Sequence, residues 1–195
     1  MKTLLIIYAI VAAQCLIRPP TSYIKHSENN QYYFKMEYDT TGHLLPKNGY
    51  GVAFNFDLIN GKETLLWETK GWFSLNTHIS NDGRYLVRIE NCSNSYKDTV
   101  LFFYDTGMLI KSYRICDLLN NYQKYHDKQF GYYFLKRVED YKSDCFVIIT
   151  RENIEYVFII INNDVLLSSR KFLLKEYIAD IFNSIQSFII SKIYK

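Results

Sequence analysis

Cysteine is scarce in this chain, with four in 195 residues at Cys15, Cys92, Cys116 and Cys145. Their wide spacing, with no C-x-x-C pair, excludes a dense disulfide framework, a zinc knuckle and a thioredoxin-type redox pair. If Cys15 leaves or is lipidated with the N-terminus, Cys92, Cys116 and Cys145 allow at most one intramolecular disulfide; the plainer reading makes them small buried hydrophobes. Histidine is as sparse. His26, His43, His78 and His126 stand far apart, and no H-E-x-x-H or i, i+4 pair places two ligands on one helical face, so no metal is expected. A P-loop, a G-x-G-x-x-G and a G-x-S-x-G elbow are all missing, which removes the usual nucleotide cradles and the strained turn that presents a serine nucleophile. No cofactor is expected. Charge of one sign is missing too: 23 Lys plus Arg face 20 Asp plus Glu, a net +3 with no basic tract, so nucleic acid is not an expected partner.

The chain also lacks a long apolar run. Leu4 to Cys15 is nearly all apolar but ends at Arg18-Pro19-Pro20, short of the roughly 20 residues that span a bilayer. With Lys2 before it and the small residues Val11-Ala12-Ala13 within it, the run reads as a signal peptide over residues 1–17 and predicts a secreted or cell-envelope protein. The alternatives are a retained short anchor or a buried first element of the mature domain. Val11-Ala12-Ala13-Gln14-Cys15 also looks like a lipoprotein signal in which Cys15 becomes the acylated first residue, although Gln14 departs from the small residue usual there. Membrane contact is expected only through this N-terminus, if it is retained or lipidated. Residues 18–31, rich in Ser, Asn and Pro, read as a polar tether to a single domain over 32–195.

What the chain has in abundance is aromatic: 18 Tyr and 13 Phe, residues that suit half-buried pleated sheets. Short strand-like segments follow one another, at Tyr32–Tyr38, Val52–Leu58, Glu63–Thr69, Arg84–Glu90, Thr99–Tyr104, Met108–Ile115, Tyr132–Val138, Cys145–Thr150, Ile154–Ile161 and Val165–Arg170. Gly71-Trp72-Phe73 leads into a further one. Asn60-Gly61, Asn81-Asp82-Gly83 and Asp105-Thr106-Gly107 supply turns, because Gly, Asn and Asp tolerate the positive φ of tight hairpins. Four short strands recur from about Phe73 to Tyr113 and again from about Tyr132 to Arg170, with a partial set upstream. That is the size and order of propeller blades, yet about four are needed to close a ring. The expected fold is therefore mainly β: an antiparallel meander with blade-like repeats, folded into a sandwich or small barrel. Leu174, Tyr177, Ile178, Ile181, Phe182, Ile185, Phe188 and Ile189 repeat at helical spacing and add a C-terminal amphipathic helix at 171–193, expected to pack over the sheet.

Chemistry is harder to find. Asp105-Thr106-Gly107 matches the catalytic tripeptide of aspartic proteases, where two such loops bring two carboxylates onto one water. A single copy would need a homodimer, and Met108 replaces the small residue usual after the Gly, so the tripeptide reads as a hairpin turn and no catalytic residue is assigned. Trp67 and Trp72, with the many tyrosines, offer a ligand face, since Tyr and Trp combine rigid area with a polar handle; the competing reading packs both tryptophans in the core.

The segments Leu65-Leu66-Trp67-Glu68, Ser80-Asn81-Asp82-Gly83-Arg84-Tyr85-Leu86-Val87 and Phe102 through Tyr113 resemble a group of uncharacterised exported bacterial proteins with propeller-like β repeats. The resemblance covers Glu63 to Leu119, implies export and a β-rich fold, and carries over no activity. The expected function is an exported or envelope-associated, non-catalytic binding or structural module for a protein or a glycan. The alternatives are a hydrolase with a loop-assembled site, for which Asp105 and Asp82 are the carboxylates to name, and an intracellular β-rich interaction protein.

Overall fold

The computed structural model describes residues 21–38, 49–90, 93–127, 131–142, 145–161 and 164–171. The signal peptide expected over 1–17, Cys15, Cys92 and the helix expected over 171–193 lie outside them, except that Lys171 ends a strand.

The chain is mainly β. The first sheet is formed by β1 (Tyr23–His26), β2 (Tyr32–Tyr38), β3 (Gly49–Asp57) and β4 (Lys62–Lys70), hydrogen-bonded in chain order. A second follows from β5 (Thr77–Ile79), β6 (Tyr85–Ile89), β7 (Thr99–Asp105) and β8 (Met108–Arg114), again in chain order. After a helical turn, α1 (Ile115–Leu118), the strands β9 (His126–Asp127) and β10 (Gly131–Tyr132) make a small ladder. The third four-stranded sheet is built by β11 (Leu135–Lys142), β12 (Cys145–Thr150), β13 (Ile154–Ile161) and β14 (Asp164–Lys171).

Two features differ from the sequence expectation. The stretch assigned to the polar tether contributes β1, whose Tyr23 and His26 pair with Met36 and Tyr33, so the upstream set has four strands like the other two. The meander is also cut into separate sheets, none of which closes into a barrel among the described residues. The cut after β4 has a local cause. Gly71 turns the chain with φ +89, away from the extended conformation of a strand, and Trp72 and Phe73 then enter the core.

The described residues group into two compact units, those of 21–90 with 101–110 and those of 93–100 with 111–171. In the first unit, Phe34, Met36, Ala53, Trp67, Trp72, Phe73, Ile79, Leu86 and Tyr104 form one buried cluster. Phe34 stacks on Trp72 at 6.1 Å and Trp72 on Tyr104 at 5.3 Å, and such ring pairs add about 0.5–1.5 kcal/mol each beyond the area they bury. The second unit is centred on β12 and β13. Phe146 and Phe158 are fully buried, Tyr113 meets Phe158 edge-on at 5.2 Å, and the Tyr156 hydroxyl donates to the Leu118 carbonyl at 2.9 Å.

The turns follow their residues. Asp105 ends β7 and Met108 starts β8, and the two residues between, Thr106 and Gly107, have φ of 46 and 83, the paired positive values of a type I′ hairpin. The Asn60-Gly61 turn is wider than a two-residue hairpin. Gly61 N–H closes it on the Asp57 carbonyl at 2.8 Å, while the Asp57 carboxylate accepts from the Ile59 and Asn60 amides at 2.9 and 3.2 Å.

Candidate binding face

In the second unit, Ser93-Asn94-Ser95-Tyr96-Lys97-Asp98 is folded back on itself by its own small polar side chains. The Asp98 carboxylate accepts from the Ser93 hydroxyl and from the Ser95 amide at 3.2 Å, and the Asp98 amide donates to the Ser95 carbonyl at 3.0 Å. The loop is then tied to β10 by a two-way bridge: Ser93 N–H to the Tyr132 carbonyl at 3.2 Å, and Tyr132 N–H to the Ser93 carbonyl at 2.6 Å. Gly131 is what lets the two backbones meet. Its φ is +80, and a Cβ there would stand 2.2 Å from the Ser93 carbonyl oxygen. A second carboxylate fixes the neighbouring segment, since Glu152 accepts from the Asn120 and Asn121 amides at 2.9 and 2.5 Å just before the 3-10 turn Tyr122–Tyr125.

These contacts bring together rings that are far apart in sequence. Tyr96 and Tyr122 lie face to face at 4.2 Å and 10°, Tyr132 stands edge-on to both at 6.2 Å, and His126 meets Tyr132 at 4.5 Å. The three tyrosines are half-buried and His126 is exposed. Burial, and the phenols of Tyr96 and Tyr132 beside it, hold the Tyr122 phenol above its ordinary range. Exposed Asn94, Asn120, Asn121 and Gln123 flank the rings. Tyrosines set among Ser and Asn are the composition of surfaces that bind: the rings supply rigid contact area and the small polar side chains adaptable hydrogen bonds.

Sequence reasoning did not single out Tyr96, Tyr122 or Tyr132. The signal was the local density of Tyr, Asn and Ser at 91–98 and 120–127, in segments that carry no strand periodicity. The residues that were singled out sit elsewhere. Trp67 and Trp72 are in the first unit's core, 7% and 8% exposed, with their indole N–H groups donating to the Gly83 carbonyl at 2.8 Å and the Thr69 hydroxyl at 3.1 Å. The packing alternative describes that placement. Asp105 is held by both its oxygens to Arg84, at 2.8 and 2.7 Å, and that hydrogen bonding pushes the guanidinium further up. Asp82 accepts from the Ser80 hydroxyl at 2.5 Å and the Arg84 amide at 3.0 Å. Both carboxylates thus bind turns together. Cys116 and Cys145 are free, half-buried thiols. Among the described residues no three His, Cys, Asp or Glu side chains gather as metal ligands, and no helix is long and apolar enough to cross a membrane.

No known family model matches this chain. No curated protein matches it either. Among solved structures it is similar to the periplasmic gluconolactonase of Pseudomonas aeruginosa, at 12% identity and a TM-score of 0.38, over 77% of this chain and 57% of that one. It is similar to the C-terminal WD40 domain of Sif2 at 16% identity and a TM-score of 0.33, over 72% and 34% of the two chains. A candidate 6-phosphogluconolactonase from Bacteroides fragilis gives 13% identity and a TM-score of 0.36, over 76% and 37%. The chain spans little more than half the length of the first of these proteins and about a third of the other two.

Proposed function

We propose that the chain is an exported or envelope-associated, non-catalytic binding module, and that Tyr96, Tyr122 and Tyr132 form its binding face. The observation that carries this is the half-buried stack of Tyr96 on Tyr122 with Tyr132 against both, mounted on loops fixed by carboxylates: Asp98 accepts from the Ser95 amide of its own loop, and Glu152 accepts from the Asn120 and Asn121 amides just before Tyr122. Rings fixed in this way offer contact area at small entropic cost. The carboxylates named for hydrolysis, Asp105 and Asp82, are engaged within turns of the first unit, so the geometry favours binding over that chemistry. The role is tested by screening the full chain against immobilised oligosaccharides and peptides, in parallel with Tyr122→Ala and with Leu109→Ala, an exposed residue of β8. The expected result is a ligand whose affinity falls about tenfold in Tyr122→Ala, or about 1.4 kcal/mol, and is unchanged in Leu109→Ala. A screen in which nothing binds, or in which Tyr122→Ala binds as the wild type does, overturns it.

A further inference from the structure

We propose that Asn60 is a modification site, a slow one-way switch in the β3–β4 turn that Asp57 holds closed: the Asn60 side chain condenses with the Gly61 backbone and hydrolyses to a carboxylate, and the turn then opens. This goes beyond the binding role and does not rest on it. The sequence supplies the reactive pair. When Gly follows Asn, the next backbone nitrogen meets least hindrance in reaching the side-chain carbonyl carbon, because Gly has no Cβ and moves freely in φ and ψ. Asn60 and Gly61 are both exposed, Gly61 has φ +64, and a Cβ there would meet nothing within 4 Å. Room and water are both at hand. The step needs no other reactant. The Gly61 nitrogen bonds to Asn60 Cγ, the Cγ–Nδ2 bond breaks, and the Gly61 N–H proton leaves with the amide as ammonia. Water then opens the cyclic imide at either carbonyl, leaving aspartate or isoaspartate at position 60.

Asp57 opposes the first of these bonds at several points. The Gly61 N–H, which must lose its proton, donates to the Asp57 carbonyl at 2.8 Å. Asn60 Nδ2 donates to Asp57 Oδ2 at 2.6 Å, and Asp57 Oδ1 accepts from the Ile59 and Asn60 amides at 2.9 and 3.2 Å. Nucleophile and electrophile are thus pinned to one residue. The Asn60 side chain first, then the two backbone amides, hold the Asp57 carboxyl below its ordinary range, so it is an anion at neutral pH. Hydrogen bonds to an anion are the stronger kind, and having to open them before the ring closes slows the reaction about tenfold or more. After the reaction the relation reverses. A donor 2.6 Å from Asp57 has become a second carboxylate, which has no hydrogen to give and repels the first. In the isoaspartyl product the backbone is also longer by one carbon, which carries the Gly61 N–H out of register with the Asp57 carbonyl.

The experiment incubates the full chain in mildly alkaline buffer, with and without urea, and follows Asn60 by peptide mapping and isoaspartyl methyltransferase labelling. Mapping separates it from the other Asn-Gly pair of the sequence, Asn48-Gly49. Conversion of Asn60 is expected to be about tenfold or more slower in the folded chain than in the unfolded one, and Asp57→Ala to bring the folded rate within about threefold of the unfolded rate. Asp57→Asn keeps an oxygen for the two backbone amides but loses the charge; it should react at an intermediate rate, and it takes the place of Asp57→Ala if that variant loses the far-ultraviolet β signal. The product state is read from Asn60→Asp. Its urea midpoint should fall below the wild type's, and the fall should vanish when the same substitution is made on Asp57→Ala. Equal rates in the folded and unfolded wild type overturn the inference, as do Asp57 variants that react as slowly as the wild type, or an Asn60→Asp chain whose midpoint is unchanged.

Discussion

At Gly131 one missing methyl decides whether the tyrosine face can form. An alanine there would have to occupy the left-handed region and push the Ser93 carbonyl away, undoing the bridge that holds Tyr96 against Tyr132. Gly131→Ala is expected to cost about 1–3 kcal/mol in the urea midpoint. The near-ultraviolet circular dichroism of the tyrosines should weaken while the far-ultraviolet β signal persists; an unchanged near-ultraviolet spectrum would show that the bridge does not position the rings. Individual residues were unequally legible. Asp105-Thr106-Gly107 could be assigned to a turn from its own residues, because the positive φ at Thr106 and Gly107 is a local demand. Tyr96, Tyr122 and Tyr132 could not be grouped in advance, since nothing within each loop encodes which distant backbone it will bridge.

Among the elements, β1 shows why a short strand escapes notice. Tyr-Ile-Lys-His offers two alternations between polar neighbours, and its strand character comes from pairing with β2 and from Tyr23. The Tyr23 hydroxyl donates to the Ser74 carbonyl at 2.7 Å and shares a hydrogen bond with the Thr77 hydroxyl at 2.8 Å, joining β1 to β5 and to the segment before it. Burial pushes this phenol up to about 12. The unfolded chain gives up that proton near pH 10 while the folded chain keeps it. The stabilisation is therefore complete below about pH 10 and is lost as pH rises from there through 12. Tyr23→Phe is expected to lower stability by about 1–2 kcal/mol at neutral pH and to make the alkaline decline shallower, read from denaturant midpoints between pH 8 and about 12. Burial raises Tyr104, Tyr113 and Tyr156 in the same direction, so part of the decline should survive the substitution. A slope identical to the wild type's would assign the limb to the other raised phenols, Tyr33 among them. Longer elements needed no such help: β2, β12 and β13 fall where apolar and β-branched runs place them.

For the molecule as a whole, export is the claim on which the cysteine and partner readings depend, and it is carried by Lys2, the apolar run from Leu4 and the stop at Arg18-Pro19-Pro20. The intact mass of the protein from fractionated native cells checks it. A chain beginning after Ala13 in a soluble exported fraction is the expected outcome, and an acyl increment on Cys15 would make it a lipoprotein instead. The full-length mass in the cytosol would remove export and restore the intracellular alternative. The blade-like repeat was legible because turns and strands recur along the chain. The division into two units was not, because it depends on the stretch 93–100 leaving the company of its neighbours in sequence, and composition does not record where a segment packs.

The strictly sequential order of the sheets bears on how the chain comes into being. In each four-stranded sheet, every strand after the first bonds to the one made just before it, and none waits for a partner from the far end of the chain. A polypeptide emerging in order from a narrow exit, whether ribosome or membrane pore, can therefore complete Tyr23–Lys70 before Thr77–Arg114 is available, and that before Leu135–Lys171. Within each sheet a strand waits only for the next one to pair with it, so assembly can keep pace with delivery rather than begin when delivery ends.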